Sequence, residues 1–280
     1  MRVINLYIIL VGILFFTNNV FGQTNGKLFI IGGGDRSHGL VTDMVTTAGL
    51  KPTDYIVILP MATSVPEESI AAISKQIRSV ANHNIVSFNF DKDQAYNHLT
   101  WIDSVKNAKL IYITGGDQNK FMEIVSGSKL YDAMHMAYAN GATISGTSAG
   151  AAIMSEVMIT GEIKGKQSGG TLNEIVNDIV ATSKGMGFLK NVIIDQHFIM
   201  RSRYNRLLSI VADHPQLVGI GIDEATAIVV EGNNYRVVGD SQVLVVKLPK
   251  IIKSNDKKKL SFRDASLSLY TAGQNFKLKK

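Results

Sequence analysis

The chain has 280 residues, of which 45% are apolar and 19% are charged, with a formal net charge of +6 and no cysteine. This composition excludes an intrinsically disordered, collagen-like or coiled-coil chain. The lack of cysteine in the sequence excludes disulfides, thiolate metal sites and a cysteine nucleophile. No basic stripe interleaved with aromatic residues is visible, so we expect no nucleic-acid partner.

The N-terminus has the pattern of a secretory signal peptide. Arg2 precedes an apolar run at residues 6–16, and Val20-Phe21-Gly22 forms a cleavage site before Gln23. The run is shorter than the ~20 residues that span a bilayer, which disfavours the alternative of a retained anchor. We therefore expect residues 1–22 to be removed and the mature protein, with no membrane span, to be periplasmic or secreted.

Short runs of apolar, branched residues recur along the mature chain and alternate with helical patterns. Continuously apolar strands suit a sheet that is covered on both faces, and the alternation suits parallel βαβ units. The strands predicted in this way are 27–32, 55–59, 85–88, 110–114, 142–145 and 192–195.

Two helices are well marked in the sequence. Ser64 and Glu67 form a capping-box pattern, and apolar residues then recur at helical spacing up to Val80. A second helix is predicted over 201–213, where Pro215 ends it.

The alternation of strands and helices ends after Leu217, where four further strands follow with no helix between them. These strands are 217–222, 225–231, 235–238 and 243–248, with a hairpin turn at Gly232-Asn233-Asn234. We interpret them as antiparallel strands appended to the parallel sheet within one domain over 23–250.

Two segments of the chain are not assigned to the sheet. The polar stretch 161–187 is either a mobile insertion or a loop beside the site, and 251–280 is predicted to be a basic C-terminal tail.

Gly146-Thr147-Ser148-Ala149-Gly150 has the Gly-x-Ser-x-Gly pattern of a nucleophile elbow. A strand precedes it and a small-residue helix follows, which favours catalysis over the alternative of a tight turn capped by a serine. The backbone N–H after the serine would lie at a helix N-terminus, where it can stabilise an oxyanion.

A catalytic serine needs a base, and His197 is the best-placed of the six histidines. It closes the strand before it, and open α/β sheets bind ligands at the carboxyl ends of their strands. Glu224 follows another strand and could orient the imidazole, although Asp223 and Asp195 stay open as competing orienters. The order Ser, His, Glu differs from that of the α/β-hydrolases.

The chain resembles the cyanophycinases, which are serine peptidases of flavodoxin-like fold related to aspartyl dipeptidases and to class I glutamine amidotransferases. The matching segments span most of the mature chain in the family's order. They are Thr114-Gly115-Gly116-Asp117-Gln118, Gly146-Thr147-Ser148-Ala149-Gly150-Ala151, Asp195-Gln196-His197-Phe198 with Arg201, Arg203 and Arg206, and Gly221-Ile222-Asp223-Glu224-Ala225-Thr226-Ala227.

The resemblance implies a flavodoxin-like, mostly parallel sheet with helices on both faces and appended antiparallel strands. It implies Ser148 as nucleophile, His197 as general base and Glu224 as its orienter. It also implies release of β-Asp-Arg dipeptides from cyanophycin, a polyaspartate with arginine on each β-carboxyl, and it suggests a homodimer. The residues expected to bind this substrate are Gln118, Asp195, Gln196, Arg201, Arg203 and Arg206, and the oxyanion site is expected at Gly115, Gly116, Asp117 and Ala149.

Two other kinds of ligand are disfavoured. The glycines after residue 31 lack the third glycine of a dinucleotide fingerprint, so we interpret them as a tight turn between strand and helix. No clustered ligand pattern suggests a metal, so we expect an enzyme without metal or cofactor.

Two alternative functions stay open. One is a peptidase that acts on aspartyl or isoaspartyl dipeptides, and the other is a catalytically silent binder of acidic peptides.

Overall fold

A computed structural model describes residues 26–164, 172–249 and 251–278, and its core is an eight-stranded sheet. Five of these strands are parallel and follow the order β3-β2-β4-β5-β1. The parallel strands are β1 (Lys27–Ile31), β2 (Tyr55–Leu59), β3 (Asn84–Ser87), β4 (Leu110–Ile113) and β5 (Thr143–Thr147). All five are predicted from the sequence, and β1, β2 and β4 are almost wholly apolar because helices cover both faces of the sheet.

One face of the sheet is covered by α1 (His38–Ala48) and α2 (Pro66–Arg78). The helix α2 begins without the predicted capping box: Val65 is its N-cap and no side chain caps it. Pro66 fits the first helical position instead, because its missing N–H would have no partner there. The other face is covered by α3 (Lys92–Asn97), α4 (Leu99–Lys106), α5 (Gln118–Val125), α6 (Lys129–Ala139) and α7 (Ala149–Ala152).

Three antiparallel strands extend the large sheet beyond β1. They are β10 (Thr226–Glu231), β11 (Asn234–Gly239) and β16 (Asn275–Lys277). The predicted fold class, a mostly parallel sheet with helices on both faces and added antiparallel strands, is confirmed.

The prediction that all remaining strands join this sheet is wrong. A separate four-stranded sheet has the order β15-β12-β9-β8, and Ile194 and Ile220 of this sheet pack against the α3–α7 face of the large sheet. Its outer face is covered by α8 (Tyr204–Asp213). The strands are β8 (Val192–Gln196), β9 (Val218–Ile222), β12 (Gln242–Lys247) and β15 (Ser266–Thr271).

The segments expected to be a loop and a tail contain strands. A hairpin of β6 (Val157–Ile163) and β7 (Val180–Lys184) occupies the described part of the polar stretch 161–187. The predicted tail 251–280 contributes β15 and β16 to the two sheets and the small ribbon β13 (Lys253–Ser254) and β14 (Leu260–Ser261). Stacking of Phe276 on Tyr235 explains why this lysine-rich segment returns to the core. The predicted signal peptide lies outside the described residues.

Candidate active site

The turn after β5 holds Ser148 in a conformation that L-residues rarely adopt, with φ 52° and ψ −106°. The turn is tight, because a Cβ atom on Gly146 would lie 2.2 Å from the carbonyl oxygen of Gly150. The backbone N–H of Ser148 donates to the carbonyl of Ile31 at 3.0 Å, which fastens the turn to β1. This is the strand, strained turn and helix that the Gly-x-Ser-x-Gly pattern predicts.

Ser148, His197 and Glu224 form a continuous hydrogen-bonded chain. Ser148 Oγ lies 2.8 Å from His197 Nε2, and His197 Nδ1 lies 2.5 Å from Glu224 Oε1. Because a carboxylate can only accept, Nδ1 carries the proton that is donated to Glu224, and neutral Nε2 accepts from the serine hydroxyl. This arrangement can activate the serine as a nucleophile.

The two alternative orienters are engaged elsewhere. Asp223 accepts from the backbone N–H groups of Ile199 and Met200 and from the hydroxyl of Ser241. Asp195 is fully buried and paired with arginine. Glu224 is therefore the carboxylate that contacts the imidazole.

The glycine loop after β1 fits closely against this chain of residues, a feature that the sequence interpretation as a simple turn missed. A Cβ atom on Gly33 would lie 2.3 Å from the His197 ring, and one on Gly34 would lie 2.7 Å from Cβ of Glu224. The loop also accepts hydrogen bonds from the backbone N–H groups of His197 and Ala225. The loop therefore positions both the base and its carboxylate.

Replacing Gly34 by alanine is expected to reduce kcat by about 10²-fold, because the added methyl group displaces Glu224 by a large fraction of an ångström. The matched control is Gly49→Ala. Gly49 has a similar left-handed conformation, φ 59° against 70°, but no atom lies within 4 Å of the position of its Cβ. Gly49→Ala should lose about 1 kcal/mol of unfolding free energy, measured by denaturant titration, because a residue with a Cβ is disfavoured in the left-handed conformation. Gly34→Ala should lose more, because its methyl group also contacts Glu224, and only Gly34→Ala should lose activity. Equal activity losses would contradict this positioning role.

Burial and two arginines keep His197 neutral. The pKa of His197 is lowered from its usual 6.5, first by burial, and then by the positive charges of Arg201 and Arg203 against the opposing effect of Glu224. A neutral imidazole is the form that can accept the serine proton.

The pH profile of kcat/KM should reflect this environment. We expect the acid limb of wild-type activity to lie below pH 6.5, because the imidazole stays neutral to lower pH. Arg201→Gln removes a cation that disfavours the imidazolium, so the limb should move to higher pH. The control Arg78→Gln changes an exposed arginine at the far end of α2 and should leave the limb in place. If the acid limb stays at the same pH in Arg201→Gln, the group that titrates there is not a His197 imidazole under the influence of Arg201.

The predicted oxyanion site is partly corrected. The amide of Ala149, as the first residue of α7, has no carbonyl partner within its own helix, and Gly115 faces Ser148, with a Cβ on Gly115 meeting that of Ser148 at 3.4 Å. By contrast, the backbone N–H of Asp117 donates to the carbonyl of Ala62, and its carboxylate caps α5. Asp117 is therefore a helix cap, and Gly115, Gly116 and Ala149 stay candidates.

Four of the six predicted substrate-binding residues form a connected cluster at the carboxyl end of β8, namely Asp195, Gln196, Arg203 and Arg206. Arg206 pairs with Asp195 through both carboxylate oxygens, and Arg203 lies 3.6 Å from the same carboxylate. Gln196 accepts from Arg203 at 3.1 Å. Burial of the cluster lowers the pKa of Arg203 to about 10, which leaves it charged at neutral pH.

The six predicted residues differ in their access to a ligand, and two of them, Arg201 and Gln118, make no hydrogen bond or ion pair with the cluster. Asp195 and Arg206 are buried and satisfy each other, so they are placed to hold the cluster together, and their direct contact with substrate stays a prediction. Arg201 lies outside α8 and is exposed. Gln118 is buried and donates to the carbonyl of Ile159.

The described residues contain neither a metal-ligand cluster nor a membrane-spanning helix. Among residues 26–164, 172–249 and 251–278, no three carboxylate or imidazole side chains come together in a way that could hold a metal ion. None of the helices in this part of the chain is both long enough and apolar enough to span a membrane.

The model of peptidase family S51 matches residues 28–238 of this chain. The chain belongs to peptidase family S51. Membership of this family makes the protein a serine-type peptidase, and the resemblance to the cyanophycinases is confirmed by curated relatives of that name.

Two relatives and two solved structures illustrate the similarity. The cyanophycinase of Trichormus variabilis is 28% identical over 265 residues, which cover 91% of this chain and 86% of that protein. The cyanophycinase of Geminocystis herdmanii is 37% identical over 144 residues, which cover 51% of this chain and 50% of that protein. A crystal structure of a peptidase from an acI-B1 Actinobacterium matches with a TM-score of 0.65 at 22% identity, covering 91% of this chain and 99% of that chain. A putative peptidase E from Listeria monocytogenes matches with a TM-score of 0.51 at 15% identity, covering 77% and 99%. The two structures share the fold of this chain.

Proposed function

We propose that this S51 peptidase is a secreted exopeptidase that hydrolyses cyanophycin to β-Asp-Arg dipeptides through an acyl-enzyme on Ser148. The observation that carries the proposal is the hydrogen-bonded chain of Ser148, His197 and Glu224 beside an arginine cluster. Guanidinium groups bind carboxylates through paired hydrogen bonds, and every unit of cyanophycin bears carboxylate and guanidinium groups. The names of the relatives support this choice of polymer.

The proposed reaction begins when Ser148 Oγ attacks the scissile carbonyl carbon and His197 Nε2 takes the hydroxyl proton. The carbonyl π electrons move to the oxygen, where the amides of Ala149 and Gly115 would stabilise the negative charge. Collapse of this intermediate breaks the C–N bond, and the leaving amine takes the proton from Nε2. Water then attacks the Ser148 ester carbonyl while His197 takes one of its protons. The ester C–O bond breaks, the acid product leaves, and the proton passes from His197 to Ser148 Oγ.

Glu224 has a different part in this reaction from that of a base. Its Oε1 accepts the hydrogen bond from Nδ1–H of His197, with 2.5 Å between Oε1 and Nδ1. The carboxylate also stabilises the imidazolium that exists while Nε2 carries the serine proton. The side chains of Arg201, Arg203 and Gln196 would bind the charged groups of one substrate unit. The buried pair of Asp195 and Arg206 would hold Arg203 and Gln196 in place.

The proposal includes export and self-association. The apolar N-terminal run with its cleavage pattern supports export of the mature chain, and the homodimer is a proposal that rests on the family resemblance. N-terminal sequencing of the protein recovered from its native host tests the first, and sedimentation equilibrium tests the second. A mature chain that begins at Met1, or a monomer at working concentration, would overturn the respective proposal.

The substrate is tested by incubating the purified mature protein with cyanophycin and, separately, with isoaspartyl and aspartyl dipeptides. Mass spectrometry of the products should show β-Asp-Arg released from the polymer. Cleavage of the dipeptides without release from the polymer would leave the peptidase assignment intact and replace the substrate. Binding of cyanophycin without hydrolysis of any of these compounds would support the silent binder instead.

A further inference from the structure

A cavity of about 230 Å³ lies beside Ser148 on the face of the large sheet that α1 and α2 cover. The arginine cluster lies on the opposite side, where β8 packs on the α3–α7 face. Thr147 connects the cavity to the site, because it precedes Ser148 directly, and Gly115 forms part of the cavity wall and faces the serine. The catalytic serine therefore stands between two polar regions.

Two buried threonine hydroxyls in the cavity wall make no hydrogen bond to any described residue. They belong to Thr114 and Thr147, which are 3% and 6% exposed. The side chain of Tyr112 is next to that of Thr147 in the wall of the same cavity. A buried polar group without a partner is destabilising, so these two hydroxyls are available to bond to a ligand group or to water in the cavity.

A cation lies at the same cavity. Arg36 is half-buried, and its Nε donates to the side chain of Gln76 at 2.8 Å, which fixes the position of the guanidinium. The positive charge is close enough to Tyr112 to lower the pKa of this phenol, although burial raises that pKa by more, so the hydroxyl stays protonated. The remaining polar lining comes from Ser69 and from the exposed Glu68.

We propose that this cavity is a second substrate subsite, which binds a carboxylate on the part of the substrate that lies across the scissile bond from the part held by the arginine cluster. Arg36 would supply the positive charge, and the hydroxyls of Thr114, Thr147 and Tyr112 would donate to the carboxylate. Glu68, at the exposed rim, is the acceptor for a guanidinium on the same unit. The inference rests on the proposed function of Ser148 and names the chemistry of its second binding region.

The test uses Ser148→Ala protein, so that ligands bind without turnover. Two probes are compared by calorimetry: a dimer of β-Asp-Arg units, and the same dimer with the carboxylates of its C-terminal unit converted to amides. We expect the free carboxylates to bind more tightly. Adding Arg36→Gln should weaken binding of the free dimer by about 10- to 100-fold, as expected for the loss of charged hydrogen bonds, with little effect on the amidated dimer.

Thr147→Val tests the hydroxyl separately, because valine keeps the shape of threonine and removes the donor. Its matched control is Thr47→Val, since Thr47 is also a buried threonine with an unpartnered hydroxyl but is not part of the cavity wall. The control for Arg36→Gln is Arg78→Gln. Thermal unfolding of each variant identifies any loss of binding that follows from unfolding.

The possible results distinguish failure of the proposed subsite from failure of the proposed peptidase function. A preference for free carboxylate that disappears in Arg36→Gln and weakens in Thr147→Val, but not in the controls, supports the subsite. A preference that survives both variants, or no preference in protein with the intact cavity, overturns it. Failure of the wild-type protein to hydrolyse either substrate class would overturn the proposed function alone, because the binding comparison does not depend on turnover.

Discussion

Ser148→Ala protein is expected to lose at least about 10⁵-fold in kcat while keeping its fold. Removing the nucleophile of a serine peptidase removes the acyl-enzyme route altogether, and the remaining rate comes from the oxyanion site and substrate binding. The loss should appear in kcat and leave the dissociation constant of the substrate nearly unchanged. Initial rates of dipeptide release, measured together with calorimetric binding, check both parts.

The control for this variant is Ser104→Ala, which removes a hydroxyl on α4 that bonds only to a neighbouring backbone carbonyl. It should keep full activity. The assignment of the nucleophile fails if Ser148→Ala and Ser104→Ala release product at the same rate.

Glu224→Gln is expected to lower kcat by about 10³- to 10⁴-fold. The amide keeps nearly the same shape, but it can present an N–H to His197 Nδ1 and so favour the tautomer in which Nε2 carries the proton. That tautomer cannot accept the proton of Ser148. The tautomer of His197 depends on this side chain, because the 2.5 Å contact between Nδ1 and Oε1 keeps the proton on Nδ1.

The matched control for the carboxylate is Glu231→Gln, which neutralises an exposed glutamate at the end of β10. It should change kcat by less than about twofold, since exposed ion pairs contribute little. If Glu224→Gln keeps wild-type activity, another group must orient the imidazole.

The local part of the site could be predicted from the sequence. A strand, the pattern from Gly146 to Gly150 and a helix of small residues follow one another without a gap, so their geometry depends on near neighbours alone. The positions of His197 and Glu224 at the ends of strands could also be predicted, because each closes an apolar run. The contacts between the three residues depend on which strands pair, and only the structure gives those.

Strand pairing explains the largest difference between prediction and structure. The strand β8 is as fully buried as β5, and nothing in its own residues distinguishes a place in the large sheet from one in the second sheet. The lysine-rich C-terminal segment is mostly exposed and its composition predicts a tail, although Ser-Leu-Ser-Leu in β15 has the alternation of a strand. Tertiary context decides such cases.

The glycine loop after β1 was recognised as a turn, but its contacts with the site were not. A tight turn and a loop that makes room for a histidine ring both require glycine, so the sequence does not separate them. Likewise, the arginines after His197 read as a set of substrate-binding groups, whereas Arg206 is the buried partner of Asp195.

The central claim is that peptide hydrolysis proceeds through an ester of Ser148, and partitioning between two nucleophiles tests it most directly. Two substrates that share the acyl part and differ in the leaving amine are hydrolysed in the presence of hydroxylamine, and the ratio of hydroxamate to acid is measured. If both pass through the same acyl-enzyme, the ratio is identical for the two substrates, and Ser148→Ala protein forms neither product. A ratio that changes with the leaving amine, or products from Ser148→Ala at the wild-type rate, would contradict the account.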